Sequence, residues 1–191
     1  LTAAVLALAL VSVFMVFYYF FAGLVATVAL AANMLIILGI MALVQATFTL
    51  PGIAGIVLTI GMAVDANVLI FERIREELDD GADLGTAIRL GFDKAFSTIV
   101  DANLTTFITA VVLFYTATAE IKGFATTLMC GILATLFTSL ILSRILMDAY
   151  HMLLKARKLP MLPSVFPALG RALSPNVNWV GKRYGFFVVS A

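Results

Sequence analysis

No acidic or basic side chain occurs in the first 64 residues; the first is Asp65. As one helix this stretch would run about 96 Å, roughly three times the hydrocarbon thickness of a bilayer. It must therefore fold back on itself inside lipid. Across all 191 residues 63% are apolar and only 12% charged, against roughly half and a quarter in soluble domains. A soluble enzyme, a disordered tail and a disulfide-stapled secreted module are all excluded. The single cysteine, Cys130, has no partner in the chain and sits in an apolar run, where it reads as a packing residue.

Turn signals divide the opening into spans over about 1–21, 24–45 and 51–71. The first ends in the aromatic cluster FYYFFAG, where Tyr18 and Tyr19 suit a belt at headgroup level. Pro51 fits the first turn of the third helix. A polar connector follows, with a turn at Asp79–Asp80–Gly81 and Asp83 as N-cap. Beyond it Leu84, Ile88, Phe92, Ala95, Phe96 and Ile99 recur every three or four residues. That spacing predicts an amphipathic connector helix within 73–99, lying on the membrane surface. Two further spans are expected over 102–119 and 123–146. The fold class is thus all-α integral membrane: five transmembrane helices plus the amphipathic connector.

Charge placement supplies the orientation. Arg73, Arg75, Arg89, Lys94, Arg144, Lys155, Arg157, Lys158, Arg171, Lys182 and Arg183 share one side of this arrangement, and only Lys122 falls on the other. Such a bias puts the connector and the C-terminal tail in the cytosol. With twelve Lys and Arg against eleven Asp and Glu, no polybasic surface argues for nucleic acid.

Asp65 is the most informative position. It lies eight residues before Arg73, hence about 12 Å from the cytosolic end by helix rise. A carboxylate at the centre of a membrane helix costs about 2.5–3.5 kcal/mol on insertion scales, so it is expected to face a protein interior or a wet cavity. Burial disfavours the charged form of an acid, which suits a reversible proton carrier; an interhelical hydrogen bond is the plainer role. Asn67 cannot share the Asp65 face, being two residues on, and is expected to bond a neighbouring helix, for instance at Asn33. Asp101, Asn103, Thr105 and Thr106 open the next span. They read either as an N-cap carboxylate with helix-pairing hydroxyls or as a polar lining near Asp65. His151, past the last full span, reads as a solvated interfacial residue. No metal site or cofactor is expected.

The runs LPGIAGIVLTIGMAVDANVLIFERIREEL, DANLTTFITAVVLF and IKGFATTL closely resemble the membrane half of the SecD family. The likeness covers residues 1–150, and NVNWVGKRYGFFVVSA resembles the entry to a SecF half. The resemblance implies a SecD-type transmembrane domain over 1–150, a cytosolic linker over 151–178 and the start of a SecF-type half over 179–191. It also implies an RND-type architecture of two pseudo-symmetric six-helix halves, this being part of one. The implied role is not enzymatic: an accessory subunit of the Sec translocon in the bacterial inner membrane, using proton motive force (sodium in some members) to promote preprotein translocation. Implied partners are the SecF-type half, the SecYEG channel, YajC- and YidC-type proteins, the preprotein and the bilayer. Asp65, in GMAVDAN, takes the place of the ion-coupling residue. Asp101, Asn103 and Thr106, with Thr105, match the family's D-x-N-x-T-T motif, and Asn67 is a further conduit candidate.

Two alternatives accompany this reading. One is another RND-type permease, exporting lipid or small hydrophobic molecules. The other is an intramembrane aspartyl protease, which would need Asp65 and Asp101 around one water. Leu1 opens inside an apolar segment and GFFVVSA begins another, so a piece of a larger polypeptide is expected.

Overall fold

A computed structural model describes residues 2–45, 49–154 and 159–161. Contacts divide the chain into two compact units, Leu1–Leu159 and Pro160–Ala191. Every helix described lies in the first. These are α1 (Thr2–Tyr19), α2 (Phe21–Leu43), α3 (Leu50–Asp79), α4 (Leu84–Thr116), α5 (Ala119–Phe137) and α6 (Ser143–Leu154), with a π-helical turn at Thr138–Leu142 joining the last two. No strand occurs among the described residues. The expected linker, apart from 151–154 and 159–161, and the expected start of a second half at 179–191 lie outside the described residues.

Four helices are long and apolar enough to cross a membrane: Phe21–Leu43, Leu50–Asp79, Leu84–Thr116 and the continuous run Ala119–Met152. The described apolar helix Leu8–Tyr19 is shorter. The chain breaks between α1 and α2 at Phe20, whose φ is 48°, not at the glycine beyond it. Pro51 stands in the first turn of α3, and Thr49 caps that helix by accepting the Gly52 N–H at 3.1 Å. Asp83 caps α4 by accepting the Thr86 N–H at 3.2 Å. Hydrogen bonding from Thr86 holds its carboxyl below the ordinary aspartate range.

The connector differs from the sequence expectation. It is not a separate surface helix: its first half continues α3 without a break, and its second half opens α4. Only residues 80–83 turn the chain, with Gly81 in the left-handed region at φ 93°, where a side chain would be strained. The apolar stripe of Leu84, Ile88, Phe92, Ala95 and Ile99 is fully buried by protein, and only Phe96 stays exposed. Periodicity identified the stripe correctly; what covers it is Ile74 and its neighbours on α3, with α6 against α4 as well.

This helical hairpin carries its own ion pair. Glu77 on α3 is buried and accepts a hydrogen bond from Lys94 on α4. Lys94→Met strands that carboxylate. Because the lysine is half exposed, the expected cost is about 1–2 kcal/mol, below that of a fully buried pair. Thermal unfolding in detergent checks it; an unchanged midpoint would show the pair to be idle.

The aromatic end of α1 packs on protein as well. Tyr19 is buried, packs on Phe71 with ring centroids 5.7 Å apart, and donates its hydroxyl to Glu72 Oε1 at 2.7 Å. Tyr18 receives Arg75 Nη1 at 3.4 Å, while Arg75 pairs with Glu72 at 2.6 Å. These tyrosines therefore bind the charged extension of α3. The core lies around α3, against which α4 and α5 pack, with α2 on the α5 side and α1 on α2.

Candidate functional site

Asp65 sits at the middle of α3, fifteen residues from Leu50 and fourteen from Asp79. The helix continues past Arg73, so the site is farther from the helix end than the charge pattern indicated. A cleft of about 360 Å³ runs between α3 and α4 at this level. Its wall on α3 is Leu58, Met62, Asp65 and Leu69, spaced at three and four residues so that they share one face. The α4 wall repeats the device with Thr98, Ala102 and Thr106, beside Asn103.

The cleft is mostly apolar, with four polar side chains in its lining: Asp65, Thr98, Asn103 and Thr106. Asp65 is exposed in the isolated chain and has no hydrogen-bond or ion-pair partner among the described residues. Asn103 is buried. Its amide donates to the Ile99 carbonyl at 2.8 Å, which fixes the side chain, and its Oδ1 is buried without a hydrogen-bond partner. An unsatisfied buried carbonyl oxygen costs about 1–3 kcal/mol, so a donor arriving in the cleft is favoured there. Thr106 spends its proton on the Ala102 carbonyl at 3.2 Å, leaving its oxygen able only to accept. The cleft thus offers oxygen acceptors to a proton, a water or a small cation.

The remaining sequence candidates fall elsewhere. Asp101 is exposed in the interior of α4, seventeen residues past Leu84, so it is no N-cap. It lies outside the lining of the cleft, and the structure does not gather two carboxylates into one site. Thr105 is exposed beside it and donates to the Asp101 carbonyl at 3.0 Å. Asn67 is fully buried on the other side of α3, where its Oδ1 accepts from Ser143 Oγ at 2.8 Å. It does not line the cleft and shares no hydrogen bond with Asn33, which instead donates to Thr135 Oγ1 at 3.1 Å. His151 is half-buried and lies over Gly85 at the start of α4, not on an open interface. Thr98 and Met62 were missed, although stepping back by helix turns from Thr106 and Asp65 reaches both.

Fold and site together define a multi-pass α-helical membrane protein with a carboxylate in a cleft between two spans. A family model described as protein export membrane protein SecD/SecF, C-terminal, matches residues 1–152, and the chain belongs to that family. The protein translocase subunit SecD of Rhodothermus marinus is 60% identical over 141 residues, covering 74% of this chain and 23% of that protein. The SecD subunit of Anaeromyxobacter dehalogenans is 53% identical over 148 residues, covering 78% and 24%. Among solved structures, the crystal structure of SecDF, a translocon-associated membrane protein from Thermus thermophilus, superposes with a TM-score of 0.83 at 37% identity. It covers 96% of this chain and 24% of that one. The chain spans about a quarter of the length of the relatives it matches.

Proposed function

We propose that this chain is the membrane half of a Sec export accessory subunit, in which Asp65 couples ion movement to preprotein translocation. The observation that carries the reading is a carboxylate at mid-span lining one cleft with Asn103, whose amide oxygen is buried and unpartnered. A neutral acid can donate a hydrogen bond to an acceptor in the cleft and a carboxylate cannot, so the two protonation states of Asp65 have different best arrangements. One charge falling through 100 mV releases about 2.3 kcal/mol, and several per cycle are enough to bias a domain movement.

The rest follows from the open side of the cleft. An acid exposed to hydrocarbon is expensive, so the SecF-type half covers it and completes an RND-type bundle. In that assembly α1 serves as a fifth span, and the 80–83 turn faces the cytosol of a bacterial inner membrane. The SecYEG channel, with YajC- and YidC-type proteins, hands over the preprotein. Asp101 and Thr105, on the exposed face of α4, are conduit residues only where that second half brings them into the path.

Asn103→Leu in the full-length protein tests the cleft. The substitution removes the amide and its orphan oxygen together, so folding is nearly unaffected. Proton-driven preprotein uptake by inverted vesicles is expected to fall about fivefold, the scale of one lost hydrogen bond. Uptake at the wild-type rate, at equal protein level, would remove Asn103 from the mechanism.

A further inference from the structure

Ser143 is the first α-helical residue after the π turn, and it is fully buried against α3. Its hydroxyl has two acceptors in reach: Asn67 Oδ1 at 2.8 Å and the Thr138 carbonyl at 3.1 Å. It carries only one proton to give. The Thr138 carbonyl already accepts the Ser143 backbone N–H, the five-residue bond that closes the turn, so it does not need the hydroxyl. Asn67 Oδ1 has no other partner and would be stranded in the core without it. The proton therefore belongs to Asn67, whose amide is anchored in turn on the Ala63 carbonyl at 3.0 Å.

The π turn makes this meeting possible. One residue more than an α-helical turn rotates everything after it by about 100° relative to an uninterrupted helix. Removing the extra residue would swing Ser143 away from α3. Asn67 stands two residues past Asp65, on the opposite side of the same helix. A bond that grips Asn67 from behind sets the rotation of α3, and with it the direction in which Asp65 points.

We propose that Asn67 and Ser143, held in register by the π turn, are a positioning pair that keeps Asp65 turned into the α3–α4 cleft. Its functional importance rests on the coupling role given above to Asp65, but the rotation can be measured without any export assay. In the full-length protein, made free of other cysteines by changes including Cys130→Ala, Asp65→Cys places a thiol on the cleft face. Its rate of modification by N-ethylmaleimide in membrane vesicles reports its exposure.

Ser143→Ala is expected to change that rate about fivefold, the scale of one buried hydrogen bond lost. Ser139→Ala is expected to leave it unchanged, because the Ser139 hydroxyl bonds only the Thr135 carbonyl of its own helix. The exchanged pair, Asn67→Ser with Ser143→Asn, restores a hydrogen bond across the same gap and should return the rate to that of the parent. An unchanged rate in Ser143→Ala overturns the proposal, whatever the export result. If Ser143→Ala fails to accumulate while Ser139→Ala does, the exchanged pair decides: the parental rate supports positioning and any other rate overturns it. A parental modification rate for the exchanged pair in the thiol-bearing protein, with export lost when the same pair is placed in the protein that keeps Asp65, would count against the coupling reading alone.

Discussion

Asp65→Asn in the full-length export protein is expected to abolish the proton-driven part of preprotein uptake, a loss of at least about tenfold, while the protein inserts and accumulates normally. The amide keeps the shape of the acid and cannot carry a proton. An aspartate at mid-span costs about 2.5–3.5 kcal/mol to insert, and an uncharged side chain lowers that cost. Any effect on insertion therefore runs opposite to the effect on function, which separates lost chemistry from lost folding. The measurement is uptake by inverted vesicles at saturating ATP, with and without a protonophore. Stimulation by the proton gradient should vanish in the variant and the gradient-independent rate should persist. Asp65→Glu keeps the acid but lengthens the arm, so it should retain an intermediate rate. An asparagine variant that still responds to the gradient would refute Asp65 as the coupling group.

How far the sequence led depends on what kind of contact each residue makes. Asp65 stood out because a polar residue in a chargeless span has few explanations; of Asp101, Asn103, Thr105 and Thr106 grouped near it, only Asn103 and Thr106 line the cleft. The starts of α3 and α4 were legible because Pro51 and Asp83 act within one turn of their own helix, whereas the Thr49 cap was not read. Partners across helices were not. Periodicity marked Leu84, Ile88 and Phe92 as a covered face, but lipid, headgroups and α3 are equally apolar covers on paper. Asn67 was assigned to Asn33 because both are amides, whereas its partner is a serine 76 residues on. That serine faces α3 only because a π turn precedes it, and nothing in TSLIL distinguishes such a turn from ordinary helix. Tyr19 read as a headgroup anchor from its place at the end of the first span, and its partner Glu72 was out of view because α3 was expected to end near Phe71, eight residues before it does. One helix boundary thus decided several side-chain assignments.

Gly131→Ala is expected to cost about 2–3 kcal/mol, the upper range for overpacking, although one methyl is added. Gly131 on α5 faces Thr59 on α3 so closely that a Cβ would lie 2.3 Å from Thr59 Cγ2 and 2.7 Å from its Cβ. Thr59 has nowhere to go: it is fully buried, its branched side chain is stiff, and its hydroxyl is held between the Gly55 and Ile56 carbonyls. The helices must part instead. Between membrane helices close packing is the main adhesive, since lipid is as apolar as the facing side chains, so separation is not offset by hydrophobic gain. Gly61 on α3 is the control. A Cβ there meets nothing within 4 Å, and Gly61→Ala should stabilise the helix by up to about 1 kcal/mol. Thermal unfolding in detergent of the two alanine variants should therefore move in opposite directions. In vesicles, export by the Gly131 variant should fall only in proportion to folded protein, and what remains should still respond to the proton gradient, which the Asp65→Asn variant should not. Equal midpoints for the two glycine variants would mean that α3 and α5 are not as close as Thr59 and Gly131 require, and the register that places Asn67 opposite Ser143 would fail with them.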